Sequence, residues 1–333
     1  MTITVILKLA LGLILLLIGG NYLVEGGVAV AKRFRLSPLV IGMTIVAFGT
    51  STPELLVSLE AAVKGNAGIA IGNVIGSNII NIGLILGITA MICPIAVTKK
   101  SVALDGAIML LSVILLAIFS LFGDGLSRFE GIMLLTGIIL FTTLSIILGR
   151  NHSEPLDTNA EENKLMSLWL AVLLILFSCV ALSFGANFLV EGAVSVAQAF
   201  NMSEKVIGLT IVAFGTSLPE LAASLVAAIK KQMDISIGNI IGSNLFNILC
   251  VLGLSATIRP ITFNFEDYLD DYIVMFIISI LLMLFIIPWK HNLKEFRKNG
   301  SVLIFSNYSN GVLGRVSGAL LVLYYIVYTI TLF

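Results

Sequence analysis

The chain has 333 residues, of which 58% are hydrophobic and only 11% charged, and its mean hydropathy is +1.09. Soluble proteins typically have about 25% charged residues, so this composition excludes an ordinary soluble fold and indicates that the lipid bilayer is the solvent. The zero net charge argues against nucleic acid as a partner, since no basic excess is present to neutralise phosphate. Three scattered cysteines and two histidines favour neither a disulfide framework nor a zinc site. We expect no cofactor, no enzymatic activity and no obligate protein partner.

Ten apolar stretches are long enough to cross a bilayer as helices, for which about 20 residues suffice. We therefore predict an all-α polytopic membrane protein with ten transmembrane helices, at about 4–29, 38–63, 68–97, 103–122, 129–149, 165–198, 205–229, 235–258, 271–289 and 311–332. The first stretch has no basic segment before it and is too long for the core of a signal peptide, so we expect it to be retained. A polar linker at 149–164 divides the ten spans five and five.

An internal duplication relates the two halves. The segment VIGMTIVAFGTSTPE, from position 40, matches VIGLTIVAFGTSLPE, from position 206, at thirteen of fifteen residues. The same difference of 166 in residue number aligns IGNVIGSNIINI with IGNIIGSNLFNI, and NYLVEGG with NFLVEGA. A single difference that holds over three blocks predicts two repeats. They cover 1–148, with the motif at 40–82, and 165–333, with the motif at 206–248.

The odd number of spans in each repeat predicts that the second repeat enters the membrane from the opposite side. Such inverted repeats are typical of secondary transporters. With the N-terminus outside, fourteen Lys and Arg residues fall in cytoplasmic loops, the linker 149–164 included, and four fall in outer loops. The excess of positive charge on the cytoplasmic side predicts a multi-pass protein of the cell membrane with both termini extracytoplasmic.

The segment VAFGTSTPE places a proline and a carboxylic acid inside an apolar span. Pro53 removes a backbone N–H and predicts a broken helix, which survives at membrane depth only where protein or a wet cavity supplies partners. Helical spacing puts four oxygen-bearing positions on one face, and the second repeat supplies their equivalents. The two sets are Ala47, Thr50, Ser51 and Glu54, and Ala213, Thr216, Ser217 and Glu220. Oxygen ligands alone suit hard cations such as Ca²⁺ and Na⁺.

The two glutamates are the central hypothesis. Glu54 and Glu220 occupy equivalent places across the predicted two-fold axis, so we expect them to meet near the membrane midplane. Two carboxylates alone would repel each other, and a divalent cation between them removes that penalty. The alternative is a proline kink used only for packing, but carboxylates inside a membrane are costly and usually functional.

The second repeated block adds neutral oxygen donors one helical turn apart. These are Ser77 and Asn81 in the first repeat and Ser243 and Asn247 in the second. A purely structural hydrogen bond between helices is the alternative role. The glycine pairs at 72 and 76 and at 238 and 242 have the G-x-x-x-G spacing of close helix packing. Asn78 and Asn244 lie on another face, where we expect them to pin the broken helices.

Both motif pairs, VAFGTSTPE with IGSNIINI and VAFGTSLPE with IGSNLFNI, resemble the alpha-1 and alpha-2 repeats of the sodium/calcium exchanger family, in its prokaryotic branch. The resemblance implies electrogenic exchange of several Na⁺ for one Ca²⁺ by alternating access. It implies that Glu54 and Glu220 coordinate Ca²⁺ with the backbone carbonyls of Thr50 and Thr216. The Na⁺ sites would use both glutamates and the residues Ala47, Ser51, Ser77, Ala213, Ser217 and Ser243.

The family's central polar position matches Asn81 and Asn247. Some members have an aspartate at the position of Asn247, and the K⁺-dependent exchangers have an acid there. The resemblance therefore implies that transport by this chain does not require K⁺. The large regulatory domain of animal members is not expected, because the linker 149–164 is too short to contain it.

Three other functions compete with Na⁺/Ca²⁺ exchange. A Ca²⁺/H⁺ antiporter of the same fold is the nearest alternative, although such proteins usually have a G-N-x-x-E core where both repeats here read G-T-S-x-P-E. An intramembrane hydrolase could use paired carboxylates, but it would not need two symmetric helix breaks. A passive channel is disfavoured by the inverted two-fold arrangement, which is typical of alternation.

Overall fold

The structure is a computed structural model that describes residues 3–97, 99–151, 166–199, 213–286 and 311–331. Most of the predicted linker 149–164 and the start of the seventh predicted span, at 205–212, lie outside these described residues.

The first half consists mainly of long helices. Its elements are α1 (Ile3–Phe34), α2 (Pro38–Thr50), α3 (Thr52–Lys64), α4 (Ala67–Ile92), β1 (Ile95–Val97), α5 (Lys99–Leu121), β2 (Gly125–Leu126) and α6 (Arg128–Asn151). The second half follows the same order. Its elements are α7 (Leu168–Ala199), α8 (Ala213–Thr216), α9 (Leu218–Ile229), α10 (Met233–Ile258), β3 (Ile261–Thr262), α11 (Leu269–Ile286), β4 (Gly311–Leu313) and α12 (Arg315–Thr331).

The helices confirm a multi-pass membrane protein. Within the described residues, seven helices are long and apolar enough to cross a bilayer, and the bent pair α2–α3 makes an eighth candidate. The apolar helices α9 and α12 are shorter. Many large apolar side chains on the outer helices are exposed, among them Phe129, Ile139 and Trp169. This apolar surface is what a lipid environment requires.

Two helices form the centre of the molecule. In the most apolar stretch of each helix, 72% of the residues of α4 and 94% of those of α10 are buried, against 22–39% for the other five long helices. Because α4 and α10 contain the second repeated block, the structure places this block in the interior. The surrounding helices shield it from lipid.

Two short antiparallel sheets correct the expectation of a purely helical chain. Strand β1 pairs with β4, with Ile95 opposite Leu313, and β2 pairs with β3, with Leu126 opposite Ile261. All four of these side chains are buried. Short strands at the ends of the apolar helices thus pair with each other. Pairing satisfies backbone groups that lie outside the helices, and β-branched residues pack well in strands. Each sheet joins one strand from each half of the chain.

The predicted helix breaks are present at equivalent residues. Ser51 (φ −87°, ψ 10°) separates α2 from α3, and Ser217 (φ −90°, ψ 5°) separates α8 from α9. The axes of α2 and α3 differ in direction by 50°. Pro53 lies in the first turn of α3, where its missing N–H costs nothing.

A glycine contact brings the two halves together. A Cβ atom at Gly242 on α10 would lie 2.5 Å from the Cα atom of Met43 on α2, and one at Gly238 would lie 2.7 Å from the carbonyl oxygen of Leu39. Any larger residue would force α2 and α10 apart, which confirms the packing role predicted for this glycine pair. The equivalent partners of Gly72 and Gly76 would be residues 205–209, which lie outside the described part of the chain.

Candidate cation site

The two predicted carboxylates meet in the interior. Glu54 lies in the first turn of α3 and Glu220 in the first turn of α9, and their exposures are 1% and 0%. They are close enough for electrostatic repulsion. In the part of the chain that the structure describes, the ion pairs are Lys8–Glu191 and Lys64–Glu60, so neither buried glutamate has a cationic side-chain partner. Two uncompensated carboxylates at one buried place are a site for a cation.

Hydroxyl groups from one repeat reach the carboxylate of the other. Ser51 Oγ donates a hydrogen bond of 2.8 Å to Glu220 Oε1. Thr50 lies 3.4 Å from Ser243, oxygen to oxygen, and both hydroxyls lie beside Glu220. The Thr216 hydroxyl lies beside the Glu54 carboxylate. The site is therefore assembled between the repeats, as the duplicated motif predicts.

Buried oxygen atoms without a hydrogen-bond partner concentrate at this site. Six such side-chain oxygens occur among the described residues, and five belong to predicted site residues. These five are Glu54 Oε2, Glu220 Oε2, Ser217 Oγ, Asn81 Oδ1 and Asn247 Oδ1. The sixth is Ser255 Oγ. Unpaired buried oxygens are costly, and a cation bound by oxygen would remove the cost.

The remaining predicted ligands lie around the helix breaks and on α4 and α10. The Ala47 carbonyl oxygen accepts hydrogen bonds from the Ser51 amide (2.9 Å) and the Thr50 hydroxyl (3.3 Å). Ser77 on α4 is buried. Ala213 begins α8, and its side-chain environment lies outside the description.

The helices α4 and α10 change geometry where the central amides lie. Asn81 opens a π-helical stretch, Asn81–Leu86, and Asn247 lies in the matching stretch, Phe246–Leu252. Both amides are fully buried. Such π-bulges occur frequently at functional sites because they redirect side chains and backbone groups.

Two asparagines hydrogen-bond to the backbone of the glutamates, and neither was predicted from the sequence. We call each asparagine, with the serine that it also contacts, a bracket. Asn73 Nδ2 donates to the Glu54 carbonyl oxygen (3.3 Å) and to Ser58 Oγ (2.9 Å). In the second half, Asn239 Nδ2 donates to the Glu220 carbonyl oxygen (3.4 Å) and to Ser224 Oγ (2.9 Å). The signal was available, because these serines and asparagines also recur at a difference of 166. Each bracket ties the helix with the glutamate to the helix that follows it.

Three other acids of the spans are exposed. Glu25 is exposed on α1. Glu191 is exposed on α7 and pairs with Lys8 at 2.8 Å, while Glu60 is exposed and pairs with Lys64 at 2.5 Å. Among the described residues, no group of three or more His, Cys, Asp and Glu side chains lies close enough to hold a metal ion. The candidate site thus consists of two carboxylates surrounded by neutral oxygens.

A repeated pair of broken helices around two buried carboxylates, inside a bundle of apolar helices, defines a membrane transporter for cations. A family model described as sodium/calcium exchanger protein matches residues 4–147 and 170–333. The chain therefore belongs to the sodium/calcium exchanger family, and it is a transmembrane ion antiporter. This confirms the resemblance inferred from the two motifs.

Two relatives match more than four fifths of the chain, and a solved structure covers all of it. CaxA of Alkalimonas amylolytica is 41% identical over 278 residues, which are 82% of this chain and 86% of CaxA. The sodium/calcium exchanger MaX1 of Methanosarcina acetivorans is 32% identical over 316 residues, or 84% of this chain and 90% of MaX1. The sodium-calcium exchanger NCX_Mj, soaked with zero Na⁺ and Ca²⁺, superposes with a TM-score of 0.80 at 34% identity, covering 100% of both chains.

Proposed function

We propose that this protein exchanges Na⁺ for Ca²⁺ across the cell membrane by alternating access, and that both ions bind at Glu54 and Glu220. The observation that supports this most strongly is the pair of buried carboxylates: within the described ranges of the chain, neither has a cationic partner and the second oxygen of each lacks a hydrogen bond. The names of MaX1 and NCX_Mj describe them as sodium/calcium exchangers, which favours the same ion pair for this chain.

The charge of the site suits one Ca²⁺. Two ionised glutamates supply a charge of −2, which a single divalent cation neutralises. Several Na⁺ bound in its place would leave the site positively charged, because the other proposed ligands are neutral. These ligands are Ala47, Thr50, Ser51, Ser77, Asn81, Ala213, Thr216, Ser217, Ser243 and Asn247. The two loaded states then differ in charge, so we propose that exchange is electrogenic.

The same charge count disfavours K⁺ as a co-transported ion. Asn81 and Asn247 are amides, so they add oxygen without adding charge. Binding K⁺ together with Ca²⁺ would bring +3 against −2 in a buried site, where an uncompensated charge costs several kcal/mol. We therefore propose that transport is independent of K⁺.

Ten spans in two inverted repeats, 1–148 and 165–333, account for the architecture. Added to the seven long helices, the bent pair α2–α3, the pair α8–α9 and the shorter α12 give the ten proposed spans. The sheets favour the inversion. Strands β1 and β3 begin at residues that differ by 166, and each pairs with a strand of the opposite half. That exchange of partners is what a two-fold axis in the membrane plane produces.

Cysteine labelling tests this topology. In a background without Cys93, Cys179 and Cys250, we expect Lys32→Cys to be labelled only from the cytoplasmic side and Arg128→Cys only from outside. Both side chains are exposed, Lys32 in the last turn of α1 and Arg128 at the start of α6, and the charge bias places these helix ends on opposite sides. A membrane-impermeant maleimide on intact cells, compared with permeabilised cells, measures this. Labelling of both residues from outside would contradict the inverted topology.

Flux in sealed vesicles tests the function. Purified protein in proteoliposomes should accumulate ⁴⁵Ca²⁺ against its gradient when Na⁺ is the only driving ion, and replacing external K⁺ with choline should leave the rate unchanged. A membrane potential imposed at equal Na⁺ should also drive Ca²⁺ movement. Accumulation driven by a pH gradient and not by Na⁺ would instead establish Ca²⁺/H⁺ antiport, and downhill leakage alone would establish a channel.

A further inference from the structure

Four buried asparagines form a network between the repeats, which we call the asparagine quartet. Its members are Asn78 and Asn81 of α4 and Asn244 and Asn247 of α10, all at most 1% exposed. Asn81 and Asn247 are proposed ligands, whereas Asn78 and Asn244 have no assigned part in binding. The helical spacing of the sequence predicts that Asn78 and Asn244 lie on another face, where they pin the broken helices.

The hydrogen bonds of the quartet run from each repeat to the other. Asn81 Nδ2 donates to Asn244 Oδ1 at 3.1 Å, and Asn247 Nδ2 donates to Asn78 Oδ1 at 3.3 Å. In both pairs the proposed ligand uses its NH₂ group as the donor. The carbonyl oxygen of the same amide is therefore left for another partner. Both of these oxygens are buried, and neither has a hydrogen-bond partner among the residues that the structure describes.

The surroundings of Asn244 determine which way its amide points. Its Nδ2 faces the Asn78 backbone carbonyl oxygen at 3.4 Å and the Met109 sulfur at 3.7 Å. Both of these atoms can accept a hydrogen bond and neither can donate one. A flipped amide would place Oδ1 against the carbonyl oxygen and offer N–H to the N–H of Asn81. The observed direction is thus the one that the neighbouring atoms permit.

The other half repeats the arrangement. Asn78 Nδ2 faces the Met275 sulfur at 3.7 Å, which again accepts and cannot donate. Met109 on α5 and Met275 on α11 differ by 166 in residue number, as the asparagines do. The duplication has therefore preserved the same series of hydrogen bonds twice. In each, a methionine sulfur accepts from one asparagine, and the oxygen of that asparagine accepts from the amide of the proposed ligand in the opposite repeat.

We propose that Asn78 and Asn244 are positioning residues that hold the amide oxygens of Asn81 and Asn247 toward the bound cation. This inference rests on the proposed function, since it assigns a role at the same site. A reversed amide would present N–H hydrogens to the cation and repel it. The quartet thus favours cations because it orients the amide oxygens toward the ion, without adding charge. It acts most on Na⁺, for which neutral oxygens are the main additional ligands.

A double-mutant cycle distinguishes positioning from packing. Asn244→Leu and Asn81→Leu should each raise the Na⁺ concentration for half-maximal exchange by about tenfold, near the value of one hydrogen bond to a charged group, with a smaller effect on the maximal rate. The double variant should be no worse than Asn81→Leu alone, because Asn244 acts through Asn81. Ser279→Ala, which removes a buried hydroxyl bonded within its own helix to Met275, serves as the control.

If the increases in half-maximal Na⁺ concentration of the two single variants multiply in the double variant, the positioning role is overturned. The Asn78→Leu and Asn247→Leu cycle is an independent second test should Asn244→Leu or Asn81→Leu fail to fold. Na⁺-dependent thermal stabilisation of the purified protein gives a readout that does not require exchange. If Na⁺ stabilises the wild type but the wild type does not exchange Ca²⁺, the proposed function is contradicted. The double-mutant cycle, measured by Na⁺-dependent thermal stabilisation, would still decide the role of the quartet.

Discussion

Glu54→Gln and Glu220→Gln are each expected to lower Ca²⁺ affinity by about 100-fold or more and to abolish Na⁺-driven Ca²⁺ uptake. Removing one charge from a buried ionic group costs about 3–5 kcal/mol, and each 1.4 kcal/mol is about tenfold in affinity. In cation-free buffer the same variants should unfold at the same temperature as the wild type or higher, because the substitution removes the repulsion between two buried carboxylates. ⁴⁵Ca²⁺ uptake and thermal unfolding measure the two effects.

Glu60→Gln is the matched control for these variants. It makes the same substitution on the same helix, α3, at an exposed side chain that pairs with Lys64. An exposed ion pair contributes little, so we expect Ca²⁺ uptake near the wild-type rate. Near-normal uptake by either Glu54→Gln or Glu220→Gln would refute a site built on two carboxylates.

Asn239→Leu is expected to destabilise the protein by about 3 kcal/mol. Leucine is similar in size but removes the donor to Glu220 and Ser224 and the acceptor that Thr50 uses at 3.2 Å. Each buried polar group left without its partner costs about 1–3 kcal/mol. Since the bracket also fixes the turn that begins with Ser217, the remaining folded protein should bind Ca²⁺ more weakly. The midpoint of thermal unfolding in detergent measures the stability change.

The first repeat supplies the comparison. Asn73→Leu removes two hydrogen bonds instead of three, and Asn73 is only half-buried, so its effect on the midpoint should be smaller. An Asn239→Leu protein that unfolds with the wild type would show that the bracket does not support the second glutamate.

The duplication explains how much of the candidate cation site could be predicted from the sequence. Comparing the halves singled out Glu54 and Glu220, and the proline after each serine predicted the helix breaks that the structure shows at Ser51 and Ser217. The brackets of Asn73 and Asn239 fell within reach of the same comparison. They were missed because asparagine is uncharged and neither residue lies at a helix break, so its residue type alone does not indicate a role.

Other features could not be predicted, because they depend on residues far apart in the sequence or on very short strands. The direction of the Asn81 and Asn247 amides depends on atoms from the opposite repeat and from α5 and α11, which no local pattern records. The pairing of β1 with β4 joins residues more than two hundred positions apart. Two- and three-residue strands are also too short for alternation of polar and apolar residues to be recognised.

Equilibrium binding of ⁴⁵Ca²⁺ to the purified protein, titrated with Na⁺ at constant ionic strength against choline, tests the central claim most directly. If the same two glutamates bind either ion, one Ca²⁺ should bind per chain, and Na⁺ should displace it with a Hill coefficient above one, because several Na⁺ replace it. Choline should displace none. Ca²⁺ binding that is insensitive to Na⁺ would contradict exchange at a shared site.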